Sequence, residues 1–399
     1  MAPLSPFSVP AGLPPLTPEE SARVEEMLAL LRSRIAQAGG SLSFADYMET
    51  ALYTPNLGYY TGGLHKFGHS GDFVTAPEIS PLFGRCLARQ VGEILQQIGG
   101  GEILEVGAGS GALAVDLLTT LEAMGAAPRR YLILERSVEL KTRQAETLAA
   151  RLPHWLGRVE WSRDLPAPGW DGVVVANELL DALPVHRFAQ TAAGLSEQRV
   201  GWEDGCLVWK LQPAGGHLAA ALAAWREEYG GEIEGDYVSE LALAAPAWLA
   251  TMGGRLRRGG VLLIDYGYPG HEYYHPDRSG GTVSCHYRHR CHFDPLILPG
   301  LQDITAHVNF TALAEAAFDV GLSIAGYTTQ AHFLLATGIM EGFALIDPSD
   351  AAAQLSLANQ VRRLTLPQEM GDIFKVMAVT RGLEDGLLGF QGLDLRGRL

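Results

Sequence analysis

The sequence predicts an α/β protein built around a mainly parallel sheet, and three observations lead to that prediction. Between residues 103 and 264, short apolar runs alternate with segments of helical periodicity, which is the pattern of parallel strands joined by helices. A glycine-rich turn at 107–111 follows the first apolar run and leads into a helix. Several runs end in polar residues, at the edge where open α/β sheets bind their ligands.

The individual elements are predicted from apolar periodicity and from turn residues. The first helix has a capping box, in which Thr17 is the N-cap and Glu20 lies three residues later. Strands of the sheet are expected at 103–106, 131–134, 159–161, 173–176, 261–264, 322–327 and 375–379. Helices are expected at 18–39, 81–98, 111–124, 137–151, 311–320, 331–346 and 351–364. Of the remaining segments, an antiparallel hairpin is expected at 188–212, mostly helical structure at 217–257, and irregular structure at 268–306.

The chain is expected to divide into two parts. Residues 1–100 are predicted to be an N-terminal helical segment with a lid-like loop at 53–84. Residues 101–399 are predicted to be the main domain, with insertions at about 188–257 and 268–306. The lid-like loop is rich in Gly, Pro, Tyr and Phe and has no regular period. A loop of this length is usually functional or disordered, and its aromatic content favours an ordered one.

Composition limits the classes of partner and location. The net charge of -15 disfavours a nucleic-acid surface and suits a basic partner. No apolar run reaches the roughly 20 residues of a membrane span, and the first ten residues lack the features of a secretory signal. Four cysteines form no dense disulfide framework. We therefore expect a cytoplasmic protein, for which a homo-oligomer is possible.

The glycine turn is typical of a nucleotide-like ligand. Its spacing also satisfies the dinucleotide fingerprint, which several cofactor classes share and which a turn that only packs a helix would also match. Glu105 precedes the turn, and a negative charge there suits a ligand that carries positive charge and no phosphate. The acid is followed by Gly107, Gly109 and Gly111 at alternating positions. These features favour S-adenosylmethionine over a nicotinamide cofactor.

Polar residues end two further predicted strands. Glu135 ends the second strand and would accept hydrogen bonds from both ribose hydroxyls of the adenosine; the alternative is a solvated acid at a helix start. Asn177, Glu178 and Asp181 follow the fourth strand, at the edge where the ligand is expected.

Longer segments carry a resemblance to a known family. The chain resembles the MidA-like family of class I S-adenosylmethionine-dependent methyltransferases, whose mitochondrial members act as assembly factors of respiratory complex I. The resemblance implies a Rossmann-like sheet of seven strands with a helical N-terminal addition. It also implies arginine methylation of a basic segment on a complex I subunit. The matching segments are 71–80, 105–111, 176–185, 264–267, 303–310 and 367–378.

An arginine acceptor makes particular demands on the site. A guanidinium is always charged and is a poor nucleophile, so it needs carboxylates that hold it and polarise its nitrogens. Glu178 and Asp181 are the candidates by position, and Asn177 would hydrogen-bond substrate or cofactor. For Asp181 the alternative is a helix-start acid that complements the helix dipole.

Residues 71–80 are the candidate lid over the cofactor. Asp72 and Thr75 are predicted to bind the cofactor, and Glu78 the substrate. Tyr266, after the fifth strand, is predicted to line the substrate cleft. The alternative for each is a structural loop or a packed aromatic residue.

Apart from the isolated His271/His275 pair, the histidines and cysteines between residues 271 and 292 do not repeat the spacings that close a tetrahedral metal site. No metal site is therefore predicted. The alternatives to a protein arginine methyltransferase are a small-molecule methyltransferase and a cofactor-binding assembly chaperone without catalysis.

Overall fold

The computed structural model describes residues 4–62, 75–384 and 386–399. The chain forms two compact units, each built from three separate segments. The first unit comprises the described parts of Met1–Phe73, Asp181–Ala245 and Gly270–Asn309. The second unit comprises the described parts of Val74–Leu180, Pro246–Pro269 and Phe310–Leu399.

Helices and strands alternate along most of the described chain. The strands are β1 (Ser41–Ser43), β2 (Glu102–Val106), β3 (Tyr131–Leu134), β4 (Val159–Ser162), β5 (Trp170–Asn177), β6 (His186–Thr191), β7 (Gly194–Glu203), β8 (Cys206–Gln212), β9 (Tyr237–Leu241), β10 (Leu256–Tyr268), β11 (Ser284–Tyr287), β12 (Arg290–His292), β13 (Asp303–Thr305), β14 (Val308–Asn309), β15 (Ser323–Thr329) and β16 (Phe374–Arg381). The α-helices are α1 (Pro18–Gln37), α2 (Phe44–Tyr53), α3 (Ala76–Ile79), α4 (Pro81–Gln97), α5 (Ala112–Ala123), α6 (Val138–Arg151), α7 (Gly216–Glu228), α8 (Ala244–Arg255), α9 (Gly270–Tyr273), α10 (Phe310–Asp319), α11 (Gln330–Ala336) and α12 (Ala351–Thr365).

Seven strands of the second unit form one sheet in the order β15-β16-β10-β5-β2-β3-β4. The pairs from β10 to β4 are parallel. Strand β16 is antiparallel to both of its neighbours. The mainly parallel sheet of the sequence prediction is therefore confirmed. The carboxyl ends of β2, β3, β5 and β10 lie at one edge, because these four strands run in the same direction.

Helix α4 belongs to the core of the second unit. Its buried Leu87, Val91 and Ile94 lie in the same apolar cluster as Leu117 and Leu121 of α5. Burial of this kind contributes roughly 1.5–3 kcal/mol per large apolar side chain. The compact units thus divide the chain near residue 73. The predicted domain boundary at residue 100 stays a prediction.

The first unit contains two smaller antiparallel sheets. Strands β1, β7, β6 and β9 are neighbours in that order, and β8 pairs with the other edge of β7. Strands β12, β11 and β13 form the second sheet. Helix α1 begins with the predicted capping box, in which the side chains of Thr17 and Glu20 each accept a backbone N–H of the other.

One expectation about the insertions is confirmed and one is wrong. The segment 217–257 is mostly helical, as expected, and it also contains strand β9, which pairs with β6. The segment 268–306, expected to be irregular, contains β11, β12 and β13. These strands are three or four residues long, so local propensity is weak and cross-strand pairing decides their structure.

Among residues 4–62, 75–384 and 386–399, no helix is long and apolar enough to cross a bilayer. Within the same residues, no group of three or more His, Cys, Asp or Glu side chains is arranged to hold a metal ion.

Candidate cofactor and active site

The glycine loop joins β2 to α5 in a backbone conformation that requires glycine. Gly107, Gly109 and Gly111 have φ angles of 71°, 52° and 84°, in the left-handed region that residues with a Cβ rarely adopt. A Cβ on Gly111 would lie 3.2 Å from the Cα of Gln144 in α6. The loop is therefore fixed in shape, and at these three glycine positions only backbone atoms can face a ligand.

Glu105 is a buried acid in β2, just before this loop. Its Oε2 accepts a hydrogen bond of 2.7 Å from the hydroxyl of Tyr131 in β3. Burial raises the pKa of Glu105 from 4.5 to about 7, the Tyr131 hydrogen bond opposes that rise, and the charge of Glu135 adds to it. Glu105 thus carries a negative charge that is costly to keep without a nearby cation.

Glu135 follows β3 at the same edge of the sheet and is also buried. Its Oε1 accepts from the backbone N–H of Ser137 at 2.8 Å. Its Oε2 accepts from Nε2 of Gln144 at 3.0 Å. Burial raises the pKa of Glu135, and these hydrogen bonds oppose the rise. The structure therefore brings Glu105, Glu135 and the glycine loop together, as predicted from strand ends.

Helix α3 lies beside both the glycine loop and the end of β5. The carboxylate of Glu78 accepts from the hydroxyl of Ser110 in the loop. The backbone N–H of Ala76 donates to Glu178 Oε1 at 3.3 Å. Glu78 therefore lies next to the glycine loop, and its predicted substrate role stays a prediction.

Two further residues were assigned to the predicted lid. Thr75 is the N-cap residue of α3, without a side-chain cap hydrogen bond, and its cofactor role stays a prediction. Asp72 lies outside the described residues.

Glu178 follows β5 in a strained backbone conformation. Its φ is 52°, which costs a residue other than glycine about 1–3 kcal/mol. The conformation is held by a 2.8 Å hydrogen bond from its backbone N–H to the carbonyl of Ile264. Oε1 of Glu178 also accepts from Nδ2 of Asn177 at 3.1 Å. The half-buried carboxylate is therefore held at the edge between β5 and β10.

Asp265 is the buried anchor of this loop and was not singled out by the sequence prediction. Its Oδ2 accepts from the backbone N–H of Leu180 at 2.8 Å, and its Oδ1 from that of Tyr266 at 3.0 Å. The ring of Tyr266 meets that of Phe374 edge-on, with centroids 5.4 Å apart. The predicted substrate role of Tyr266 stays a prediction.

Replacing Asp265 with alanine is expected to lower the free energy of unfolding by about 2–4 kcal/mol, because two buried N–H groups lose their acceptor. Urea denaturation measures this loss. Asp265→Asn keeps one acceptor oxygen and is expected to lose less. A change below about 0.5 kcal/mol, the usual range for surface substitutions, would contradict the anchoring role.

Asp181 belongs to the first unit, whereas Glu178 belongs to the second. Its backbone carbonyl accepts from the N–H of Ala306 at 2.9 Å. The surroundings of Asp181 include Tyr60. Burial raises the pKa of Tyr60 well above its usual value, and the charges of Asp303 and Asp181 raise it further. The catalytic role of Asp181 stays a prediction.

The residues of the second unit fit S-adenosylmethionine on chemical grounds. Two buried carboxylates with raised pKa values stand at adjacent strand ends. They suit a ligand with positive charge and vicinal hydroxyls, and they would repel a phosphate. Asn177 Oδ1 is buried and has no hydrogen-bond partner among the described residues, which leaves an acceptor for a ligand N–H.

Comparison with known proteins decides between the cofactor classes. Residues 86–328 match a family of S-adenosyl-L-methionine-dependent methyltransferases. The chain belongs to this family. The methyltransferase is also similar to a Burkholderia thailandensis protein whose crystal structure holds S-adenosylhomocysteine: identity is 46%, the TM-score is 0.92, and 97% of this chain and 100% of that one are covered. The predicted fold and cofactor are confirmed.

Curated relatives are similar over most of their length. The mouse mitochondrial protein arginine methyltransferase NDUFAF7 is 30% identical, over 91% of this chain and 86% of the relative. Its human counterpart is 28% identical, over 89% and 83%. Both relatives are mitochondrial. The prediction of a cytoplasmic location is therefore wrong.

Proposed function

We propose that this methyltransferase transfers a methyl group to a guanidinium nitrogen of an arginine in a protein, with Glu178 as the carboxylate that holds the guanidinium. The position of Glu178 carries the proposal. Its charge is fixed at the carboxyl edge of the sheet by Asn177, Ala76 and the backbone of Ile264. The naming of relatives such as mouse NDUFAF7 as protein arginine methyltransferases supports the choice of acceptor.

The reaction depends more on the orientation of the two reactants than on the acid or base strength of a catalytic group. S-adenosylmethionine, when bound, supplies an electrophilic methyl group on its sulfonium. In the proposed transfer, the guanidinium nitrogen would form a bond to that carbon as the carbon–sulfur bond breaks, with S-adenosylhomocysteine as the leaving group. The proton released from the nitrogen would pass to solvent water. Correct placement of two reactants supplies up to about 7–11 kcal/mol of the barrier reduction. Glu178 would orient the guanidinium by a charge-assisted, bidentate pair.

The other acidic residues have distinct tasks in this proposal. Glu105 faces the positive charge of the cofactor, and Glu135 accepts the ribose hydroxyls. Asn177 orients Glu178 through Nδ2, and its Oδ1 is available to the substrate guanidinium. These roles separate cofactor binding from substrate binding, so they can be tested separately.

The protein substrate is expected to present its arginine in a basic segment. The net charge of -15 attracts such a segment and speeds its association. A complex I subunit, which the family resemblance implies, and a homo-oligomeric state both stay predictions.

Transfer of tritium tests the acceptor. The purified enzyme is incubated with methyl-tritiated S-adenosylmethionine and with protein extract from cells that lack the enzyme, and the labelled protein is hydrolysed in acid. We expect the label in methylated arginine. Label in another amino acid or only in small molecules would overturn the proposal, and so would cofactor binding without any transfer. Gly109→Val is the control without cofactor binding.

A further inference from the structure

We propose that Gln144 is a positioning residue that orients the carboxylate of Glu135 for contact with the cofactor. The inference rests on the proposed contact of Glu135 with the ribose hydroxyls. It adds a residue that contacts no ligand and that acts through Glu135.

The side chain of Gln144 is fully buried and connects three separate elements. Its Nε2 donates to the carbonyl of Gly109 at 3.1 Å and to Glu135 Oε2 at 3.0 Å. Its Oε1 accepts from the indole Nε1 of Trp161 in β4 at 3.0 Å. Both amide hydrogens and the amide oxygen therefore have partners.

The chemistry of these partners fixes which way the amide points. An indole N–H can only donate, whereas a carbonyl and an ionised carboxylate can only accept. Rotating the amide by 180° would set the NH₂ group against the donor Trp161 and the oxygen against two acceptors. Trp161 thus determines that Gln144 donates to Glu135.

Packing alone does not explain a glutamine at this position. Leu140, Gln144 and Leu148 are the buried residues of α6, spaced four apart, as on one face of a helix. An apolar side chain would be the simpler choice for such a face. A buried amide with every partner satisfied instead specifies a single geometry.

The consequence is a carboxylate that is oriented before the cofactor binds. Ser137 N–H holds Oε1 of Glu135 and Gln144 holds Oε2, so both oxygens are fixed and their remaining lone pairs have defined directions. Preorganisation of this kind reduces the cost of ordering on binding.

Calorimetry with S-adenosylhomocysteine tests the role through a double-mutant cycle. Gln144→Leu is expected to weaken binding about tenfold or more, because hydrogen bonds to charged groups contribute about 1.5–3 kcal/mol. Because Gln144 acts through Glu135, the double variant with Glu135→Gln should bind little more weakly than Glu135→Gln alone. The 2′,3′-dideoxy analogue of the ligand should bind wild type and Gln144→Leu equally. Glu146→Gln, an exposed change in α6, is the matched control.

Each possible outcome decides a separate point. If Glu135→Gln binds S-adenosylhomocysteine as tightly as wild type, the ribose contact of Glu135 is wrong. If Glu135→Gln weakens binding and Gln144→Leu does not, the role of Gln144 is wrong. Equal losses for the ligand and its dideoxy analogue would show a purely structural role and would also overturn the proposal. If Gln144→Leu does not fold, the same test is made with Trp161→Phe, which removes the indole donor to Gln144 together with part of the ring and leaves Gln144 in place.

Discussion

Replacing Glu178 with glutamine is expected to lower kcat for methyl transfer roughly 10²–10³-fold, the usual cost of removing one electrostatic contact to the transition state. Glutamine has the same shape, and its amide oxygen can still accept from Asn177 and from the backbone N–H of Ala76. The variant should therefore keep its fold and its affinity for S-adenosylhomocysteine. What it loses is the charge that holds and polarises the guanidinium.

Steady-state kinetics and ligand calorimetry together measure this prediction. Glu139→Gln changes an exposed glutamate in the first turn of α6 and is the matched control, with unchanged kcat and affinity. An unchanged kcat in Glu178→Gln would show that another group holds the substrate. A parallel loss of S-adenosylhomocysteine affinity would place Glu178 on the cofactor side of the site instead.

The fold was predictable from the sequence because its main signal is local. A central parallel strand such as β5 is buried on both faces, so its sequence contains a continuous apolar run, here residues 173–176. Strand β9 was not predictable in the same way. Its five residues lie between helical segments, and its structure depends on pairing with β6, which is distant in sequence.

The cofactor site shows the same division between local and distant signals. The acid and glycine pattern from Glu105 to Gly111 is continuous in sequence, and its position at a strand end follows from the sheet. Gln144 and Asp265 depend on partners supplied by other elements. For Gln144, the available signal was a polar residue between Leu140 and Leu148 on the buried face of α6.

Neighbouring residues in sequence can also belong to different compact units. Glu178 and Asp181 were both predicted to be catalytic because of their position after the fourth strand. The boundary between the compact units falls between Leu180 and Asp181, and no local pattern marks it. The location was likewise not predictable from composition, because few cysteines and a negative net charge are found in proteins of many compartments.

Replacing Glu105 with glutamine is expected to stabilise the fold and, at the same time, to weaken binding of the cofactor. Burial raises the pKa of Glu105 to about 7 from 4.5. The folded state therefore favours the neutral form of Glu105. The free energy of unfolding that this protonated form contributes is fully present below about pH 4.5. It is lost as the pH rises through about 7. A shift of this size corresponds to about 3 kcal/mol.

Glutamine is neutral at every pH and can still accept the hydrogen bond from Tyr131. Relative to wild type, the variant should therefore gain about 3 kcal/mol in free energy of unfolding between pH 4.5 and pH 8. Urea denaturation at these two pH values measures the difference. Glu139→Gln, which is exposed, should show no such pH dependence. Parallel stability curves for wild type and Glu105→Gln would contradict the raised pKa.

Cofactor binding should change in the opposite direction. The positive charge of S-adenosylmethionine favours ionised Glu105, so wild-type affinity should fall by up to about tenfold per pH unit below pH 7. Glu105→Gln should bind more weakly at pH 8 and show a flatter dependence on pH. Calorimetry between pH 5.5 and 8 distinguishes the two proteins. If Glu105→Gln is more stable than wild type but binds S-adenosylmethionine equally tightly at pH 8, the charge of Glu105 does not serve cofactor binding. The expected result is instead that the buried charge lowers stability and serves to bind a cation.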